Sequence, residues 1–232
     1  ELHTVRTDMF GASKTASVSG GYQISRSLRF NSADSAYLNR TPASAGNRQI
    51  FTWSGWVKRS ALGSAFYGIF GASTGANTYT GYWLRNDNLW LYSYTNGTEN
   101  YSFQTTQLFR DPSAWYHLVI ATDTTQATNT NRIKIYVNGS QVTALTVNTY
   151  PTQNFNDYID NNVANTLGWT DGGTGYYNGY MTEVNFIDGQ QLTPSSFGET
   201  SATTGVWQPK AFAGTYGTNG FYLNFSDNSN TT

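Results

Sequence analysis

The chain has no cysteine, which removes disulfides, thiolate metal sites and cysteine nucleophiles together. The compartment stays open, because a protein assembled in a reducing cytosol and released later needs no bridges. Charge is also scarce: 12% of residues are Asp, Glu, Lys or Arg, about half the usual share. The 13 basic and 14 acidic residues nearly cancel, and no basic cluster exceeds Lys58-Arg59. Phosphate-driven binding needs a basic footprint, so nucleic-acid binding is excluded as the main role. His3 and His117 are the only histidines, too few for a histidine-built metal site or a credible Ser-His-Asp arrangement. No apolar run approaches the ~18 to 20 residues of a membrane helix, residues 115–121 being typical of the longest. No membrane insertion is expected.

What is abundant is aromatic: 16% of the residues are Phe, Trp or Tyr, set among many Ser, Thr and Asn. That is not a disordered composition, which would be aromatic-poor and charged. At 232 residues the chain can bury a full core, and one domain is the prior. Residues 1–21 are rich in small residues and read as an N-terminal arm or linker. The chain opens at Glu1 and closes on a polar run, so a segment of a longer polypeptide is expected.

From Tyr22 to the end the chain breaks into short aromatic and β-branched runs separated by Gly, Asn, Asp, Ser and Thr, the signature of strands and turns. In residues 51–58 one parity is Phe51, Trp53, Gly55 and Val57, the other Thr52, Ser54, Trp56 and Lys58, which predicts a half-buried strand. Asn138-Gly139 and Asn96-Gly97 supply the positive φ values of tight hairpins. Only Thr193-Pro194-Ser195-Ser196-Phe197 reads as a helical turn. Many strands without a 3.6-residue period predict an all-β antiparallel sandwich or barrel over residues 22–232. The first and last strong runs, residues 28–30 and 221–225, bracket everything else; if they pair, the domain closes on itself and its ends lie together.

The order of these runs is similar to a known family. Leu28-Arg29-Phe30 with Tyr37-Leu38, then residues 51–58, resemble the opening strands of the concanavalin A-like, laminin-G-type jelly roll. Residues 115–121 resemble that family's Trp-x-His strand, and Ile133-Lys134-Ile135-Tyr136-Val137-Asn138-Gly139 its hairpin. Residues 179–187 with Leu192-Thr193-Pro194 resemble its closing strand. The match spans roughly residues 26–226 and implies an antiparallel two-sheet jelly-roll sandwich. Within that superfamily, residues 27–38 and 217–227 resemble lectin-like domains in large virion proteins of marine bacteriophages. That resemblance implies a tail-fibre or capsid-decoration module on the particle surface, extracellular after release. It also implies other virion proteins and host surface polysaccharide as partners, and a homo-oligomer, trimers being usual in fibres. A cellular carbohydrate-binding module and a laminarinase-type glycoside hydrolase are the alternatives.

Hydrolysis of a glycosidic bond needs two carboxyl groups flanking it, about 5 to 10 Å apart. The glutamates are Glu1, Glu99, Glu183 and Glu199, and none has a second acid within four residues on its own strand parity. A non-enzymatic module is therefore expected. Glu183 shares parity with Met181, Asn185 and Ile187, and by family likeness it accepts hydrogen bonds from a neighbouring loop. His117 reads as a packed strand residue. Lectin and laminin-G relatives often hold calcium in loops of Asp, Asn and carbonyls, which makes Asp171, Asp87, Asp157 and Asp160 candidate ligands, although Asp and Asn beside Gly are common turn formers. The glycines of residues 168–179 lack the Lys-Ser/Thr ending of a phosphate cradle. Six Asn-x-Ser/Thr sequons, at Asn39, Asn96, Asn100, Asn138, Asn224 and Asn230, are chance matches in so Asn- and Thr-rich a chain.

The aromatic surplus is the best functional clue. Along residues 89–94, Trp90, Tyr92 and Tyr94 share one parity and Leu89 and Leu91 the other; only one set can face a core. With the leucines buried, three rings face outward, where sugar rings stack on aromatics. Tyr79, Tyr82, Trp83, Asn86 and Asp87 flank that ladder. A second cluster, Trp169, Asp171, Tyr176, Tyr177 and Asn178, falls in a loop, where aromatics point to binding. The competing reading is core or subunit interface, which aromatics also favour.

Overall fold

The structure, a computed structural model, describes residues 22–171 and 175–226; the arm expected over residues 1–21 lies outside them. Its strands are β1 (Leu28–Phe30), β2 (Leu38–Arg40), β3 (Ile50–Arg59), β4 (Tyr67–Gly75), β5 (Thr78–Arg85), β6 (Asn88–Thr95), β7 (Thr98–Leu108) and β8 (Tyr116–Asp123). The second half adds β9 (Ile133–Val137), β10 (Ser140–Gln141), β11 (Leu145–Thr149), β12 (Ala164–Leu167), β13 (Gly179–Asp188), β14 (Gly198–Thr200), β15 (Trp207–Pro209) and β16 (Phe221–Leu223). Helix among the described residues is limited to three short 3-10 turns, Ser32–Asp34, Asn129–Asn131 and Pro194–Ser196, of which the sequence signals only the last. None is long and apolar enough to cross a membrane.

Fourteen of these strands form two antiparallel seven-stranded sheets, and β14 and β15 pair separately as a two-stranded sheet. The front sheet runs β11-β7-β6-β5-β4-β12-β2; the back sheet runs β1-β13-β3-β8-β9-β10, with β16 also paired to β13. The jelly-roll sandwich expected from the sequence is therefore the observed architecture. Asn-Gly turns work as anticipated, with φ of 45° and 94° at Asn96 and Gly97 and 48° and 84° at Asn138 and Gly139. A third tight turn, Asn86-Asp87, has φ of 51° and 63°, a left-handed conformation that Asn and Asp tolerate best after glycine.

The core between the sheets takes Phe51, Trp53 and Val57 from β3, Leu89 and Leu91 from β6, and Leu118 and Ile120 from β8. Strict alternation fails at two places. The outer parity of β3 is covered as well: residues 189–216 fold over the back sheet, and Leu192, Phe197, Phe212 and Tyr216 pack on Val119, Ala121, Tyr136 and Ile187. Thr52 ties that cover down, its hydroxyl donating to Gln190 O at 2.7 Å and accepting from Leu192 N–H at 2.9 Å. The half-buried strand of the sequence reading is thus buried on both faces. In β13 the register to β3 shifts between Thr182 and Asn185, with Glu183 at φ 51°. This bulge lets Met181 share the core with Val184 and Phe186, whereas plain parity puts Met181 opposite to them.

The first and last strands do not pair with each other. β1 aligns with Gly179–Met181 and β16 with Val184–Phe186, so the two lie end to end along one edge of β13. The ends still meet, because each three-residue strand needs only part of that long edge.

Candidate functional site

On β6, Leu89, Leu91 and Ser93 are buried while Trp90, Tyr92 and Tyr94 keep partial exposure on the outer face of the front sheet. The neighbouring β5 sets Trp83 opposite Trp90, Gly81 opposite Tyr92 and Tyr79 opposite Tyr94. The rings form a continuous pavement. Tyr92 and Tyr94 stack at 6.0 Å and 21°, Tyr79 lies 6.1 Å and 5.9 Å from them, and Trp83 lies 6.1 Å from Tyr92 and 5.8 Å from Phe66. Arg85 closes one end with its guanidinium 4.2 Å from the Phe66 ring centroid and 5.8 Å from that of Trp90, a cation–π arrangement.

Carboxylates stand at the margins. Burial, then the neighbouring phenols of Tyr92 and Tyr94 and the charge of Asp171, push the Tyr79 hydroxyl up to about 12. Burial and Glu99 likewise raise Tyr92. Both phenols therefore stay protonated across the physiological range and can donate hydrogen bonds. Gln104, opposite Trp90 on β7, adds an amide.

The loop after β12 docks on the same face. Gly168 N–H donates to Ile69 O at 2.8 Å, and Thr166 Oγ1 donates to Trp169 O at 2.6 Å. Thr170 then fits over Gly68, Gly71 and Gly81; a methyl group at Gly68 or Gly81 would strike the loop backbone or the Trp83 ring. Asp171 accepts from the Ser73 hydroxyl. Trp169 stacks on Tyr176 at 6.1 Å and 23°, and Tyr37 packs 5.5 Å and 6.0 Å from the two. Two clusters 75 or more residues apart in sequence thus share one face. Phe66, Arg85 and Tyr37 are members that sequence reading missed. No local signal could reveal Tyr37, since it reaches Trp169 only through the pairing of β2 with β12.

Other sequence candidates lie elsewhere. Tyr82 is buried on the core parity of β5, opposite Leu91. Tyr177 is buried too, against Phe30, its hydroxyl donating to Lys58 O at 3.1 Å. Neither can touch a glycan. Asn178 is held by the Arg29 guanidinium at 2.9 Å and donates to Ser32 Oγ. Asp87 accepts from Arg59 at 2.9 Å, Arg110 at 3.0 Å and Gly63 N–H at 2.8 Å. Its own burial opposes ionisation, but those three donors together hold its carboxyl below the usual range. Asp157 is buried and accepts from Tyr101 OH and Ile159 N–H. These partners are protein donors, so Asp87 and Asp157 are not arranged as calcium ligands. No group of three or more His, Asp or Glu able to hold a metal occurs among the described residues.

Asp160 faces Asp188 across Gly46, where any side chain would collide with oxygens of both. Asp188 accepts from Asn47 N–H at 2.8 Å and Asn219 N–H at 3.1 Å, and Asp160 Oδ1 accepts from Asn219 Nδ2 at 2.9 Å. Burial and the adjacent Asp188 push Asp160 up to about 7, so it holds its proton beside an acid neighbour. The cavity beside it is about 10 Å³, far too small for a sugar ring. Glu183 is buried at the β13 bulge and accepts from Tyr22 OH at 2.7 Å and Tyr222 OH at 2.8 Å. The hydrogen-bonded acceptor expected at this position is what the geometry provides, with tyrosines from the first and last described segments as donors. His117 is packed as expected and burial lowers it to about 3.

Comparison with known proteins follows from this geometry. The family described as the concanavalin A-like lectin/glucanases superfamily matches residues 30–196. Among solved structures, a heptameric SAP-like pentraxin from Limulus polyphemus is 16% identical over 71% of this chain and 76% of its own, with a TM-score of 0.47. Domains LG4-5 of the mouse laminin alpha1 chain are 12% identical over 69% of this chain and 40% of theirs, with a TM-score of 0.47. Domain 4 of the arabinanase AbnA from Geobacillus stearothermophilus, solved with arabinotriose, is 18% identical over 72% of this chain and 83% of its own, with a TM-score of 0.45. No curated protein matches the sequence. With two antiparallel sheets and a family match over most of its length, the chain belongs to the concanavalin A-like lectin/glucanase superfamily.

Proposed function

We propose that this domain is a non-enzymatic glycan-binding module whose site is the aromatic face of the front sheet. The observation that carries the reading is the pavement in which Trp90, Tyr92 and Tyr94 keep partial exposure beside the buried rings of Tyr79 and Trp83, margined by Asp171, Glu99, Gln104 and Arg85. Flat rings match the apolar faces of pyranoses, while carboxylates, an amide and phenols offer partners to sugar hydroxyls. Orienting groups of this kind around an aromatic floor are how small-molecule sites achieve specificity. The buried acids do not compete with this reading: Asp160–Asp188 has no room for substrate, and Glu183 is occupied by two tyrosines.

The wording of residues 27–38 and 217–227 supports a setting on a phage particle, as a tail-fibre or capsid-decoration module that meets host surface polysaccharide. There, weak sites gain strength by display in several copies, since linked sites raise effective concentration. Peptides of this domain in purified particles, and antibody labelling of an appendage, are the expected results; labelling of a cellular fraction alone would move the module to the cellular carbohydrate-binding class.

The site itself is tested on a glycan array with Trp90→Ala and Trp169→Ala. Each is expected to lower retention while leaving the melting temperature within a few degrees. Unchanged binding by both would refute the pavement as the site, and dispersal of an oligomer by both would assign the face to self-association.

A further inference from the structure

The back sheet carries a second aromatic platform on the opposite side of the sandwich. Trp56 stacks on His117 at 4.9 Å and 21°, and His117 on Trp207 at 6.0 Å and 22°. The imidazole is pinned between them: Nδ1 accepts from Trp207 Nε1–H at 3.0 Å, so the ring proton sits on Nε2, 2.9 Å from Ser54 Oγ. Two adjoining clefts, of about 410 Å³ and about 430 Å³, share Trp56 and Trp115 as walls. That is within the size range of sites for small ligands. Arg26, Ser27 and Thr182 line the first cleft; Asn138, Ser140 and Thr200 line the second. No acidic side chain among the described residues lines either.

Trp56 is 7% exposed and forms the floor that the two clefts share, its indole N–H buried and without a hydrogen-bond partner among the described residues. Trp115 and Trp207 keep partial exposure and present the open ring surface of the groove.

We propose that this groove over Trp56, Trp115 and Trp207 is a second saccharide site, taking a neutral or anionic sugar that stacks on the partly exposed indoles of Trp115 and Trp207. It extends the glycan-binding reading to the other face but stands on residues the first site does not use. Flat indoles to stack on, a rim of hydroxyls and an amide, one guanidinium and no carboxylate fit such a sugar and disfavour a cationic ligand. Sites on opposite faces of one sandwich would let a single domain bridge two polysaccharide chains.

The test is affinity electrophoresis of the whole chain through gels cast with alginate or with laminarin, with turbidity of the same mixtures as a measure of bridging. Trp115→Ala and Trp90→Ala are each expected to keep part of the retardation and to abolish turbidity; the double variant is expected to run as in a sugar-free gel. Ser25→Trp, which fills the first cleft from an exposed rim position, should reproduce the Trp115→Ala result if that variant folds poorly. Retardation and turbidity unchanged by both Trp115→Ala and Ser25→Trp overturn the second site. Loss of all retardation on Trp90→Ala alone does the same while leaving the first site standing. Loss on Trp115→Ala alone, with Trp90→Ala silent, supports the second site and refutes the first. A wild type that neither gel retards, or one retarded only by an added polyproline peptide, overturns both.

Discussion

Replacing Asp160 by Asn gives a stability change whose sign reverses the usual expectation for a buried acid. Asp160 is 1% exposed and rises from 3.8 to about 7 through burial and the adjacent Asp188. Between those values the folded protein binds a proton that the unfolded chain does not. Stability from this group is therefore fully present below about pH 4 and is lost as pH climbs through 7, following the linkage relation. At ~1.4 kcal/mol per unit the loss is up to about 4 kcal/mol. The side-chain oxygen of asparagine keeps the acceptor for Asn219 Nδ2, and its amide N–H supplies a permanent donor toward Asp188, replacing the titrating proton. Asp160→Asn is expected to be close to wild type at pH 4 and more stable by a few kcal/mol at pH 8. Urea denaturation at half-unit steps, in chelator so that the proton is the only cation on offer, reads the difference directly. Plotting variant minus wild type removes the opposite slope of His117. A difference that stays flat from pH 4 to 8, or turns against the variant at high pH, would refute the reasoning.

Three further outcomes are expected. His117, lowered by burial from 6.5 to about 3, costs stability as pH falls below 6.5 because only the unfolded chain takes up the proton; the loss from pH 6 to 4 should shrink in His117→Gln, measured by the same titrations. Arg59 is 1% exposed and donates to Asp87 at 2.9 Å and to Phe109 O at 2.6 Å, so Arg59→Met should lose about 1 to 3 kcal/mol by removing one of the three donors to buried Asp87 and leaving Phe109 O unpaired; the Arg59→Met, Asp87→Asn double variant, which removes the acid's charge and keeps a residue suited to φ 63°, should recover part of that loss in denaturant melts. Gly81→Ala forces a methyl into the Trp83 ring and the Thr170 side chain, and overpacking of this kind costs about 1 to 3 kcal/mol. Calorimetry should show a lower melting temperature, with weaker glycan retention because the Trp83 floor and the Thr170 loop shift together.

Strand alternation is a local property, and so the sandwich, its Asn-Gly hairpins and the outward parity of Trp90, Tyr92 and Tyr94 are legible in residues 51–58 and 89–94 alone: a pleated strand with leucines on one parity can bury only that face. What breaks the local rule is invisible locally. The bulge at Glu183 changes the face of Met181 relative to Val184, and the cover formed by residues 189–216 buries the outer side of β3; both follow from pairings between residues far apart in the chain. The same reason explains the candidates that fell away, since Tyr82 and Tyr177 carry the same side chain as Tyr92 and Tyr176 and differ only in which way the fold turns them.

The amino-acid sequence by itself determined the class of the molecule: too little charge, histidine and cysteine for the chemistry of phosphates or metal clusters, and enough aromatic residues on alternating runs to demand two stacked sheets. Only the tertiary structure decided which rings share a surface, because Tyr37, Trp169 and Tyr176 become neighbours through the pairing of β2 with β12 and a docked loop. It likewise decided that Asp160 meets Asp188 and that Trp56, His117 and Trp207 stack, contacts that hydrogen-bonded strand pairing and chain cover impose and that no spacing along the chain encodes.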